Sequence, residues 1–167
     1  MEGPPAQHGL DEAWLNDFTE YQRNFVHGLR NPTGLHLQYK LEGDRVVTTW
    51  PTTDDHAGFP GFVHGGLIAA ALDDVMGRCS VLHRRWVVTG RMETRFRDAA
   101  PIGAVLRVEG WITRLTRRVM TAQARVTDGN GGLVADATGT YLPIPAELVD
   151  RMVDSWPGFA EFTGTTE

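Results

Sequence analysis

The sequence has one cysteine, Cys79, and one lysine, Lys40, in 167 residues. A lone thiol cannot close an internal disulfide, nor build a thiolate zinc site by itself. Stability therefore has to come from an apolar core and from any partner subunit. Long apolar runs are missing as well: the longest nearly uncharged stretch, residues 65–72, falls far short of the ~20 residues that span a bilayer. Residues 1–10 lack the basic-then-apolar order of a secretory leader, so the chain reads as cytoplasmic with no membrane partner. Positive charge is not in excess, with 16 basic against 21 acidic residues and a net charge of -5. That balance argues against a nucleic-acid surface. No serine or cysteine nucleophile motif, phosphate-cradling glycine loop or dinucleotide fingerprint is present.

What is there is ordinary globular material, 41% hydrophobic and 22% charged, enough for one compact domain that buries roughly two thirds of its unfolded surface. Residues 1–9, with their glycines and prolines, read as a loose tail. Over residues 10–28, Ala13, Trp14, Phe18, Tyr21 and Phe25 recur at helical steps, which predicts an amphipathic N-terminal helix. Leu35, Leu37, Tyr39 and Leu41 then alternate with polar residues, and a turn at Glu42-Gly43-Asp44 leads to a second β-rich run over residues 46–50. Residues 51–63 form a long irregular connection, a length usually tied to function. Residues 64–77 have helical periodicity but are apolar almost all round, the signature of a helix enclosed by the fold. Strands are expected over residues 86–96, 104–115, 119–126 and 133–142 as a four-strand meander, followed by a short helix over residues 146–153. The class is α+β: an antiparallel sheet of about six strands curled around one central helix, with an extra N-terminal helix.

The enclosed helix carries the chemistry. It opens on Gly65-Gly66 and bears adjacent carboxylates, Asp73 and Asp74. An unpaired buried carboxylate costs several kcal/mol, so it needs a partner, a cavity or an exit to solvent. One aspartate can point into water while the other caps a neighbouring group; the alternative is a catalytic acid. At the other end, first-turn N–H groups lack intrahelical acceptors, and glycine lets a substrate carbonyl approach the backbone closely. A donor aimed at a developing oxyanion is worth about 3 kcal/mol of barrier. Gly65 and Asp73 are eight residues apart, about 12 Å along one helix, too far to meet at one reacting carbon. Two helices packed antiparallel across a two-fold axis would join the first turn of one to the aspartate of the other, which predicts an obligate dimer.

The run Gly58-Phe59-Pro60-Gly61-Phe62-Val63-His64-Gly65-Gly66, followed by Leu72-Asp73-Asp74, resembles the hotdog-fold acyl-CoA thioesterases, in particular the PaaI-like branch of the 4-hydroxybenzoyl-CoA thioesterase superfamily. Val88-Thr89 with Phe96 and Pro101-Ile102-Gly103 resembles the family's next strand and turn, and Asp128-Gly129 with residues 135–140 its last hairpin. The resemblance covers residues 31–145 and implies a hotdog domain over residues 29–145 with a C-terminal extension over 146–167. It also implies a homodimer or a dimer of dimers with interfacial sites. The family's acidic catalyst, nine positions after the histidine of His-Gly-Gly, falls on Asp73. Gly65 takes the place of the glycine whose N–H polarises the thioester carbonyl, and His64 that of the histidine that orients the loop or the thioester sulfur. Thr89 matches a hydroxyl residue that helps hold the attacking water. Asn24-Phe25-Val26-His27-Gly28 stands where many relatives have Cys-Phe-x-Cys-Gly, and Ala99 stands at a common proline.

The implied reaction is hydrolysis of an acyl-CoA to acid and thiol, with Asp73 as nucleophile or general base and Gly65 as oxyanion donor. Coenzyme A is part of the substrate, so no separate cofactor is expected. Gly66, His56, Phe62, Arg91, Arg117 and Arg118 are the substrate-binding candidates, the arginines because guanidinium suits phosphate bidentately. Asp54, Asp55, His56 and His64 match no familiar zinc spacing, so no metal is expected. Two other functions fit the same frame: a hotdog acyl-thioester dehydratase or hydratase, and a non-catalytic acyl-CoA binding protein.

Overall fold

The computed structural model describes residues 15–16 and 23–155. Its elements run in the order β1 (Lys40–Glu42), β2 (Arg45–Pro51), β3 (Ala57–Phe59), β4 (Phe62–Val63), α1 (Gly65–Arg78), β5 (Val87–Phe96), β6 (Val105–Leu115), β7 (Met120–Thr127), β8 (Leu133–Pro143) and α2 (Ala146–Ser155). A six-stranded antiparallel sheet has the spatial order β1-β2-β6-β7-β8-β5, and β3 pairs with β4 in a separate ribbon. The central helix α1 packs against β2, β5, β6, β7 and β8, as the enclosed periodicity requires. Its Ile68, Ala71, Leu72, Val75 and Met76 are buried. Among the described residues no helix is long and apolar enough to cross a membrane.

Small side chains let the helix lie close to the sheet. Gly110, Ala124 and Ala137 sit opposite one another across β6, β7 and β8, and Ala122 sits opposite Gly139 in the neighbouring row. A Cβ on Gly110 would stand 3.1 Å from the Val75 carbonyl oxygen, so the row works as a shallow trough for α1. Alternation on β7 buries Met120, Ala122, Ala124 and Val126, while Gln123 and Arg125 face out.

Residues 51–63, expected from the sequence to be an irregular connection, contain the β3–β4 ribbon, and three further details depart from the sequence reading. First, the four-strand meander is a three-strand one, because β5 pairs with β8 rather than β6, with Val87 opposite Pro143 and Phe96 opposite Ala135. The connection after β5 decides this. Ile102 N–H bonds Gly61 O at 2.9 Å, and Gly103 N–H bonds Thr52 O at 3.2 Å. The chain is thereby led across to the end of β2 instead of turning back on β5. Second, the alternation over residues 35–41 is real, but only Lys40–Glu42 pairs as a strand. Leu35 and Leu37 are buried, and their N–H groups bond Phe25 O and Val26 O, both at 2.9 Å. Third, the N-terminal helix does not reach Gly28. Leu15 and Asn16 are helical, while Phe25, Val26 and His27 lie in a turn. Asn24 Oδ1 accepts from the N–H of Val26 at 2.7 Å and of His27 at 3.1 Å, the local side-chain competition that ends helices. The tail at residues 1–9, most of residues 10–22 and the end of the C-terminal extension, residues 156–167, lie outside the described residues.

Candidate active site

Successive residues on a helix point about 100° apart, and the two aspartates of α1 use that difference. Asp73 turns toward β5 and β8. Thr89 Oγ1 donates to its Oδ1 at 2.9 Å, and the Tyr141 hydroxyl donates to the same oxygen at 2.9 Å. Asp74 turns toward the N-terminal segment. The Tyr39 hydroxyl donates to its Oδ2 at 2.6 Å, His27 Nδ1 stands 3.1 Å from both oxygens, and an Arg78 nitrogen lies 3.8 Å from Oδ2. Burial alone would raise the Asp74 pKa, but the His27 hydrogen bond, the Arg78 guanidinium and the Tyr39 hydroxyl outweigh it and hold the carboxyl below its usual range. The same burial and the Asp74 charge push the Tyr39 phenol upward. Asp74 thus ties the turn at His27 to the central helix.

A cleft of about 650 Å³ opens beside Asp73. Asp73, Asp74 and Gly77 line its helical side, Val87 and Val88 the β5 side, and Leu148 and Met152 bring in α2. A smaller cleft of about 190 Å³ shares Trp86 and Val87 with the first and is lined by Arg117 in the turn between β6 and β7. Arg118 is exposed in that turn, and Arg91 on β5 is 79% exposed with Glu93 at 3.9 Å. The lone Cys79 is buried, and burial pushes its thiol up to about 12, so it offers no thiolate.

The first turn of α1 forms a separate locus. His64 caps it, its Nδ1 accepting from Gly66 N–H at 2.8 Å, while Leu67 N–H and Ile68 N–H bond His64 O. Gly65 N–H has no acceptor among the described residues. A Cβ on Gly66 would sit 2.9 Å from His64 Nδ1, and one on Gly58 would sit 2.8 Å from His64 Cα. Both glycines are therefore what permits the cap. The His64 N–H bonds His56 O at 2.8 Å, which sets His56 at this end of the helix. His56 Nδ1 accepts the Thr53 N–H, and burial lowers the imidazole pKa. Phe62 is 45% exposed and Phe96 55% exposed, with the Phe96 ring 3.4 Å from where a Gly65 Cβ would lie. Among the described residues no group of three or more His, Cys, Asp or Glu side chains is arranged to hold a metal.

Within one chain, then, Thr89 is brought to Asp73, whereas His56, Phe62, His64, Gly65 and Gly66 gather at the opposite end of α1. Arg91, Arg117 and Arg118 stand apart from both. Tyr141 and His27 are not among the site candidates named from sequence. For Tyr141 the signal was present: residues 135, 137, 139 and 141 share one face of β8, and a tyrosine among small residues on the helix-facing side needs an acceptor for its hydroxyl. His27 carried no such signal, because its partner is distant in sequence.

Residues 60–135 match the thioesterase superfamily. The acyl-coenzyme A thioesterase THEM4 of Xenopus laevis is 26% identical over 88 residues, 52% of this chain and 40% of its own length. The chain therefore spans less than half of that relative. Among solved structures, smu.793 from Streptococcus mutans, bound to acetyl CoA, matches with a TM-score of 0.63 and 24% identity over 72% of this chain and 96% of that one. The PaaI protein of the E. coli phenylacetic acid degradation operon matches with a TM-score of 0.68 and 15% identity over 80% of this chain and 94% of that one. At these identities the structural matches establish a shared fold, the curled sheet around a helix described above.

Proposed function

We infer, from a hotdog-fold chain whose residues 60–135 match the thioesterase superfamily, that this protein hydrolyses acyl-CoA thioesters to free acid and coenzyme A. The observation that carries the reading is the Asp73 carboxylate at the edge of an apolar-walled cleft, with Oδ1 held by two hydroxyls and Oδ2 without a donor among the described residues. The Xenopus relative's name and the acetyl-CoA-bound streptococcal structure support the ligand class.

In the reaction Asp73 attacks the thioester carbonyl carbon, or takes a proton from a water that does so. The carbonyl oxygen gains negative charge, and a Gly65 N–H stabilises it. In the base route the C–S bond then breaks, the proton that Asp73 took from water passes to the sulfur, and the acid and the coenzyme A thiol leave. In the nucleophile route coenzyme A leaves as the thiolate and takes a proton from solvent, and water hydrolyses the resulting acyl–Asp73 anhydride to the free acid and the carboxylate. Because Gly65 and Asp73 of one chain are about 12 Å apart along α1, the Gly65 N–H comes from a second copy of the chain. The exposed Phe62 and Phe96 around Gly65 suit such a contact. Thr89 holds Asp73 and the attacking water, His64 and Gly66 shape the helix start, and His56 supports His64 through its backbone carbonyl. Arg117 and Arg118, beside the smaller cleft, and Arg91 on β5 are the candidates for the coenzyme A phosphates. The acyl group occupies the larger cleft.

Thiol release from a panel of acyl-CoAs tests the reading. Asp73→Asn is expected to lower turnover by at least about 100-fold, a loss in line with removal of a group that acts in the transition state, with fold and assembly unchanged. Hydrolysis by this variant at near wild-type rate, or no thiol release by the wild type, overturns it.

A further inference from the structure

We propose that Tyr141 is a positioning residue for Asp73, acting with Thr89 to immobilise one carboxylate oxygen and leave the other to the cleft. The inference rests on the reading of Asp73 as the acting group. Thr89 and Tyr141 are direct partners in the β5–β8 register, and that register shifts immediately after Thr89. A shift of this kind re-aims the side chains beside it. Here it lets two hydroxyls from adjacent strands converge on one atom, Asp73 Oδ1. The Tyr141 hydroxyl also lies 3.2 Å from the Asp73 backbone oxygen, so it references the helix backbone as well as the side chain.

The ring that carries this hydroxyl is fixed. Tyr141 is 1% exposed, and Gly139, two residues earlier on the same face of β8, leaves the space the ring fills. A Cβ at Gly139 would stand 2.5 Å from Tyr141 Cε2 and 2.9 Å from the hydroxyl oxygen. Burial, together with the Asp73 charge, raises the phenol pKa, so the group remains a hydrogen-bond donor. A buried hydroxyl in this position has little choice of acceptor. With both donors on Oδ1, rotation of the carboxylate is blocked, and Oδ2 meets the substrate in one orientation.

Tyr141→Phe removes the hydroxyl and keeps the ring. We expect kcat to fall about 10- to 100-fold with KM within about twofold, as for loss of alignment without loss of binding. Gly139→Ala, which displaces the ring but retains the phenol, is expected to shift kcat in the same direction. A purely structural tyrosine would lower the melting temperature and leave kcat of the folded enzyme unchanged, and that result would overturn the proposal. Crystal structures of the wild type and Tyr141→Phe give a readout that needs no turnover: the Asp73 carboxylate should adopt one orientation in the former and a rotated or mixed one in the latter. An unchanged carboxylate sinks the positioning role even if the wild type hydrolyses acyl-CoA. A changed carboxylate in a protein that releases no thiol would instead sink the assigned reaction.

Discussion

Asp73 and Asp74 share a peptide bond and have opposite surroundings. Two neutral hydroxyls hold the first beside open space, while a histidine, a tyrosine and an arginine close around the second. Asp74 therefore contributes to folding, and its pH dependence has a definite sign. Its folded-state carboxyl lies below the ordinary value of 3.8. The stabilisation is complete above that value and is lost as the pH falls through the lower folded-state value. Asp74→Asn should cost about 3 kcal/mol at neutral pH, since it removes the largely enclosed anion that Arg78 and His27 contact. Its urea midpoint should also fall less than that of the wild type on acidification from neutral pH to about pH 3. Equal acid sensitivity of the two proteins would show that Asp74 is not held in this way.

At the scale of elements, the N-terminal segment reaches the cleft through Asn24 and His27, and α2, which lies beyond the curled sheet, reaches it through Leu148 and Met152. Its side chains set how far the cleft extends from Asp73. Widening an apolar contact by removing methylenes changes discrimination between substrates by about 10- to 200-fold. Met152→Trp fills the space instead, and we expect it to lower kcat/KM for long-chain acyl-CoAs by at least about tenfold while acetyl-CoA hydrolysis changes little. Equal loss across a chain-length series would place the acyl group elsewhere. The central helix depends in a different way on the trough of Gly110, Ala124 and Ala137, where bulk is excluded by backbone contact and not by chemistry.

At the scale of the whole molecule, the distance along α1 controls the outcome. On the proposed reading Gly65 is the oxyanion donor and Asp73 the acting carboxylate, and because they stand at opposite ends of one helix, that reading requires a second copy to complete the site. The wild type should sediment as a dimer or larger assembly, and Phe96→Asp, placed beside Gly65, should shift it toward monomer and remove activity in parallel. Full activity in a monomeric variant would exclude the shared site. The net charge of -5 spread over 167 residues adds no bias toward a polyanionic partner, so the proposed reading leaves recognition of the coenzyme A phosphates to Arg91, Arg117 and Arg118.

Periodicity and turn chemistry alone determined the central helix, whose observed span Gly65–Arg78 lies within a residue of the expected 64–77, the strand segments from residue 86 onward, the helix at residue 146 and the curled-sheet class. These are local properties: hydrophobic repeat and glycine or proline punctuation act over a few residues, so they can be read in order along the chain. The His-Gly-Gly start and the double aspartate were legible for the same reason. Tertiary structure alone decided that Asp73 meets two hydroxyls while Asp74 meets a histidine, a tyrosine and an arginine, and that β5 lies beside β8. Each of those outcomes depends on partners tens of residues apart, such as Asp74 with His27 and Asp73 with Tyr141. Packing brings such groups together after chain entropy and register have been settled, and no local repeat records the result.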